Sequence, residues 1–234
     1  MREDSPMTSH AGALLLLGKE EVHSASLGQD VAARVGDAEV LILPTASAFV
    51  GPQAVGDAVA GWLGAYGVRA HVLNVVTRSD ASDQEVVAAV RTARAVVATD
   101  GSALHLRTTL KSTPVLEAML AAIDGGALLI ASGAAACAMS DPMIDPRGGA
   151  PTTGLGPLRS FCVVDPDDDG MLERTLGLVP AALPVVSIAP GSGLWCGADG
   201  SVVPIGDGNV TVFRAKDEVP MGIDGLGPWW QEPN

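Results

Sequence analysis

Few side chains in this sequence combine the type and the spacing that chemistry requires. The histidines are His10, His23, His71 and His105. His10 lies in an aperiodic opening stretch, His71 sits at the start of an apolar run, and His105 falls on a helical segment where a packed or solvated role is the default. His23 follows the first apolar run closely. The cysteines Cys137, Cys162 and Cys196 are odd in number and lack a Cys-x-x-Cys pair, which argues against a disulfide framework or a cysteine-built zinc site. They read as small buried apolar residues, and a reducing cytoplasm suits them best. Gly18-Lys19-Glu20 ends the first apolar run without the Gly-x-x-x-x-Gly-Lys-Ser/Thr spacing that cradles a phosphate; with Glu21 it reads as a charged helical turn or as part of a cleft lining. Asp165, Asp167, Asp168 and Asp169 form an acidic run broken only by Pro166, but a calcium loop needs spaced ligands, a central glycine and a distant glutamate. A solvated loop is expected there, with no metal and no cofactor.

The elements that must position any site are short apolar runs ending in glycine, proline or small polar residues: Ala13–Leu17, Val40–Leu43, Ala70–Val75, Ala95–Ala98 and Ala127–Ala131. Buried parallel strands read this way. Between them, Gln29–Val35, Ala54–Tyr66, Asp83–Ala93 and Pro114–Ile123 carry apolar residues at helical spacing. The alternation predicts an α/β fold, a three-layer, doubly wound and mostly parallel sheet, with any site at the carboxyl ends of its strands. Beyond residue 144 the texture turns to glycine, proline and short β-branched segments. Asp199-Gly200 between apolar runs is a hairpin signal, and Asp207–Phe213 reads as a further strand, so antiparallel C-terminal strands are expected. The division is a flexible segment over 1–11, one domain over 12–214 and a tail over 215–234.

A chain of 234 residues with 47% hydrophobic, 18% charged and 3% aromatic residues builds its core from alanine, valine and leucine and is neither disordered nor fibrous. Its formal charge of −13 repels phosphate backbones and anionic lipid, so nucleic acid and membrane surfaces are excluded as partners. The run Ala13–Leu17 is too short to span a bilayer, and Arg2-Glu3-Asp4 lacks the basic start of a secretory signal.

Several segments together resemble the cyanophycinase and dipeptidase E family of serine peptidases. They are Leu41–Ser47, Val76–Ala81, Val96–Thr99, Leu110, Thr113–Leu116, Gly126–Ala131 and Ala138–Ile144, matching in order and spacing between about residues 12 and 214. The resemblance implies a class I glutamine-amidotransferase-like fold. It also implies a Gly-Thr-Ser-Ala-Gly turn in which a strained strand-to-helix bend exposes the nucleophilic serine. Here the register reads Ala131-Ser132-Gly133-Ala134-Ala135, which puts Gly133 at the nucleophile position. The family's Gly-Gly-Asp-Gln loop falls on Asp100-Gly101-Ser102-Ala103, and its Asp-Gln-His-Phe run, which carries the general base, falls on Asp165-Pro166-Asp167-Asp168, with Asp167 in place of the histidine. Its later acidic segment falls on Ala189-Pro190-Gly191-Ser192. Nucleophile, base and flanking acids are lost together.

The resemblance therefore implies an inactive peptidase relative serving as a binding or assembly subunit, with the degenerate elbow Ser132, Gly133 and Ala134 inside a cleft lined by Gly18, Lys19, Gly101, Ser102, Ser132 and Gly133. Two other functions compete. One is a serine hydrolase acting on a small peptide or amide, with Ser132 as a displaced nucleophile and His23 as its base. The other is a small-molecule sensor whose Gly133 and Ala134 N–H groups hold an anionic ligand. The family resemblance, the strongly apolar composition and Trp229-Trp230 suggest a homodimer or a subunit of a larger assembly. The tryptophan pair is either cover for an apolar strip or a docking segment for a partner.

Overall fold

In the computed structural model, residues 11–19, 24–165, 170–214, 222–223 and 226–231 are described. The first strand shows how the fold is built. All five residues of β1 (Ala13–Leu17) are buried, with Leu14 and Leu16 in one core and Leu15 and Leu17 in the other. Side chains of a strand alternate between faces, so an unbroken apolar run fits only a strand covered on both sides.

The same alternation runs through β2 (Val40–Leu43), β4 (Ala95–Ala98) and β5 (Leu128–Ser132), which with β3 (Ala70–Val72), β10 (Ser192–Cys196) and β11 (Val202–Gly206) make a seven-stranded sheet. Its order is β11-β10-β1-β5-β4-β2-β3. Neighbours from β1 to β3 are parallel, whereas β10 runs antiparallel to both β1 and β11. Helices α1 (Ala25–Val35) and α2 (Pro52–Ala65) cover one face through Leu27, Val31, Val59 and Leu63. The other face is covered by α3 (Gln84–Thr92), α4 (Ala103–Leu110), α5 (Pro114–Asp124) and α6 (Ala134–Met139). This is the expected α/β class and layering.

Local chemistry sets the element ends. Ser24, Asp83, Ser102 and Thr113 each accept a first-turn backbone N–H through the side chain, which satisfies donors that a helix start leaves open. Helix α1 begins earlier than its periodicity predicts because Gly28, a poor helix former, sits inside it. A Cβ there would overlap the Tyr66 ring, so close packing on α2 decides that residue. The run expected as a strand to Val75 ends at Val72. Beyond it, the Asp80 carboxylate accepts the Val76 and Thr77 N–H groups at 3.0 and 2.8 Å, turning the chain before α3.

The C-terminal part differs from a simple antiparallel extension of the sheet. The Asp199-Gly200 turn joins β10 and β11 as expected. However, β8 (Cys162–Val164), β9 (Val185–Ile188) and β12 (Val210–Phe213) form a separate three-stranded sheet, in which β8 pairs parallel with β9. The intervening α7 (Met171–Leu178) supplies the crossover that a parallel pair needs. A two-stranded ribbon, β6 (Met143–Ile144) with β7 (Pro151–Thr152), spans the glycine- and proline-rich stretch. The N-terminal segment expected to be flexible lies outside the described residues except Ala11. No helix among the described residues is long and apolar enough to cross a membrane.

Part of the C-terminal tail returns to the body of the protein. Trp229 is fully buried, its indole N–H donates to the Gly197 carbonyl at 2.9 Å, and its carbonyl accepts Arg159 N–H at 2.7 Å. Trp230 stands edge-on to it at 5.2 Å. The ring of Trp229 thus has no surface left for a second chain, while Trp230 is half-buried. Trp229→Ala should lower the unfolding free energy by about 3–5 kcal/mol, read as a shift of the urea midpoint. A loss under about 1 kcal/mol would mean that the ring is not part of the core.

Candidate functional site

The carboxyl ends of β1, β4 and β5 converge, and the turn leaving β5 is the sharpest feature there. Gly133 adopts φ 50°, ψ −117° between the last residue of β5 and the first of α6. A positive φ places a side chain against its own backbone, so glycine is the residue that accepts this bend without strain. The expected strand-to-helix elbow is present in shape.

A side chain from the neighbouring loop lies over it. Asp100, two residues past β4, directs its carboxylate at Gly133: a Cβ built on Gly133 would overlap Asp100 Cγ and both carboxylate oxygens. Oδ1 accepts the N–H of Ala134 at 2.7 Å and that of Gly101 at 2.7 Å. The Gly133 N–H donates to the Leu17 carbonyl at 3.0 Å. Both elbow N–H groups are therefore satisfied from within the protein. An anionic ligand expected at these groups would have to compete with the chain's own carboxylate at Ala134 and with the Leu17 carbonyl at Gly133.

The loop carrying Asp100 is clamped from below. Ser47 donates to the Asp100 carbonyl at 2.6 Å and lies 3.0 Å from the Thr99 hydroxyl. Ser102 N–H donates to the Ala46 carbonyl at 2.8 Å, and Gly101 (φ 141°) passes so close to that carbonyl that a Cβ would collide with it. Ser102 itself caps α4 by accepting His105 N–H at 3.2 Å. His105 Nε2 lies 2.9 Å from the Val76 carbonyl and 3.2 Å from the Thr109 hydroxyl.

Ser132 ends β5 with 1% exposure, and its hydroxyl donates to the Gly18 carbonyl at 3.2 Å. It lines neither cavity described below. His23 and Asp167 lie outside the described residues, as do Glu20 and Glu21. Lys19 pairs with Asp165 at 2.8 Å, both side chains being about one-third exposed (32% and 36%). An ion pair this open contributes at most about 1 kcal/mol.

Two hollows flank the elbow. The larger, about 270 Å³, is lined by Gly101, Ser102 and Ala134 with residues that the sequence reading did not select, among them Ile144, Val164 and Met171. The smaller, about 10 Å³, lies among Gly18, Lys19, Gly133 and Ile188. Cys137, Val163, Val164 and Asp165 line both. Burial first, then the Asp165 and Asp100 carboxylates, push the Cys137 thiol up to about 12. A thiol held this high is protonated at neutral pH. Among the described residues no three histidine, cysteine, aspartate or glutamate side chains gather as a metal site would require.

The residue that sequence reasoning underweighted is Asp100. Its signal is a carboxylate at a position where the resembling family's loop has glycine, coincident with glycine at the nucleophile position.

No protein-family model matches the chain, and no curated protein matches it. Solved structures do. A peptidase from an acI-B1 actinobacterium superposes with a TM-score of 0.75 at 20% identity, over 92% of this chain and 95% of that one. A putative peptidase E protein from Listeria monocytogenes EGD-e superposes with a TM-score of 0.58 at 16% identity, over 87% and 98%. The chain has the peptidase E-like fold.

Complementary volumes at positions 100 and 133 predict coupled stability. Gly133→Ala should destabilise by more than the ~1–2 kcal/mol that a side chain in left-handed backbone costs, because its Cβ also displaces Asp100. Combining it with Asp100→Gly should lose less than the sum of the two single changes, by about 1–3 kcal/mol in a double-mutant cycle. Simple additivity would mean that the two positions do not share space.

Proposed function

We propose that this chain is a peptidase-like protein without serine-hydrolase chemistry, working as a binding or assembly subunit. One observation carries the reading: the elbow that would present a nucleophile ends in Gly133, with the Asp100 carboxylate seated over it and bonded to Ala134 N–H. A serine nucleophile needs a side chain at that bend and an open pair of N–H donors for the developing oxyanion. Here the bend has no side chain and its donors are engaged.

The displaced-nucleophile reading draws less support. Ser132 is buried and donates its proton to Gly18 O, so attack would require breaking that bond and turning the hydroxyl out of the sheet. The two solved structures named above are described as a peptidase and a putative peptidase E, and their activity is not carried over to a chain with this elbow. Burial raises the thiols of Cys162, to about 12, and Cys196 as it does that of Cys137. Three free cysteines support a cytoplasmic location. For the assembly role, a homodimer is the first expectation, checked by light scattering of the purified chain.

The protein should not react with a fluorophosphonate probe at pH 7–9. Labelling that disappears in Ser132→Ala and survives in Ser47→Ala would overturn the proposal and restore the hydrolase reading. A thiol whose pKa is raised from 9 to about 12 stays protonated at neutral pH. Ellman's reagent at pH 8 should therefore find no fast thiol in the native protein and all three after denaturation. Rapid reaction of Cys137 in the folded state would show an accessible thiolate and a different nucleophile.

A further inference from the structure

A hollow of about 550 Å³ opens at the amino ends of β1 and β5, the edge of the sheet opposite the elbow, and its size suits a small-molecule site. Small residues form its floor, and packing fixes them: a Cβ on Gly12 would strike the Ala127 and Ile123 carbonyl oxygens. Around the floor stand Arg34 in the last turn of α1, Arg91 in the last turn of α3, Arg94 just before β4, and Trp195 of β10.

Three guanidinium groups therefore line the hollow, and among the described residues no aspartate or glutamate does. This is a local reversal of sign in a chain with 14 lysines and arginines against 27 acids. Arg34 is positioned by its own helix. Its Nη1 donates to the Asp30 carbonyl and carboxylate at 3.1 and 3.2 Å, and the guanidinium lies 5.2 Å from the centre of the Trp195 ring. Arg94 meets Asp37 at 3.2 Å with side chains 71% and 87% exposed, and a pair so open to water yields readily to a better acceptor. Arg91 has no side-chain hydrogen bond or ion pair among the described residues. The positive surplus is carried by groups that line the hollow themselves.

A guanidinium offers its N–H donors in a planar fork, and a carboxylate or phosphate accepts two of them at once. One fork suits a single negative charge, and two lining one space favour a doubly charged ligand. We propose that this hollow binds a small organic dianion, a phosphate monoester or a dicarboxylate, with its oxygens at Arg91 and Arg94 and its body on the small-residue floor beside Arg34 and Trp195. The site goes beyond the non-hydrolytic reading of the elbow and shares no lining residue with the hollows there.

Isothermal titration at pH 8 and low ionic strength, with phenyl phosphate, phthalate, benzoate and benzyl alcohol, separates the terms. At least one dianion should saturate and bind about tenfold or more tightly than benzoate, while benzyl alcohol should not saturate. Which dianion binds more tightly distinguishes the phosphate monoester from the dicarboxylate. Arg91→Gln and Arg94→Gln should each weaken that dianion about tenfold. Arg147→Gln, which removes an equal charge from an exposed position outside the hollow, should leave its affinity unchanged. No saturation by either dianion at millimolar concentration, benzoate binding as tightly as the dianions, or a loss in Arg147→Gln as large as in the other two variants would each overturn the site. The arginines would then serve only the helix ends they stand on. None of these outcomes touches the elbow, whose non-hydrolytic reading falls only to fluorophosphonate labelling.

Discussion

The bend at Gly133 and the carboxylate above it occupy one volume, and the rest of the site is arranged around that fact. Asp100 brings an anion to the start of α6, where exposed N–H groups favour one, and it fills the space that the missing side chain leaves. Neither residue suits a different partner. A larger group at 133 would strike the carboxylate, and a glycine at 100 would leave the Ala134 N–H without this acceptor. The elbow is held by a hydrogen bond in place of a side chain's packing. This explains how a turn with positive φ at Gly133 is held in place.

The pressure that keeps Asp100 in place comes from elements far apart in sequence. Ser47 reaches it from the short turn after β2 and Gly101 leans on the Ala46 carbonyl, while Leu17 at the end of β1 takes the Gly133 N–H. A parallel sheet makes this convergence unavoidable, because every strand delivers its following loop to the same edge. The order β1-β5-β4-β2 then fixes which loops are neighbours. The loop after β4 lies beside the turn after β5, so a substitution in one is felt in the other.

Much of this was readable before any coordinates. The two-sided burial of Ala13–Leu17 and of the β4 and β5 segments follows from unbroken apolar runs, and the elbow at Ser132, Gly133 and Ala134 is what the family resemblance implies. What escaped depended on contacts that periodicity does not encode. The early start of α1 was hidden by Gly28, a residue chosen for the Tyr66 ring and not for helix formation. The separate β8-β9-β12 sheet was hidden because short β-branched segments read alike whichever strands they join. Trp229 could be read equally as internal cover or as an anchor for another chain, since a tryptophan suits either use. Asp100 was in view as part of a loop, but which atom it opposes is a tertiary fact.

The electrostatics of the cleft follow from the same exchange. An oxyanion site works by offering unpaired donors to a charge that develops during reaction. Here the Asp100 side chain takes the Ala134 N–H and the Leu17 carbonyl takes the Gly133 N–H, so both donors are met from within the chain. The one cation among the described residues lining the hollows beside the elbow, Lys19, is in turn held by Asp165 at 2.8 Å, so the charges at this end of the sheet answer one another within the chain.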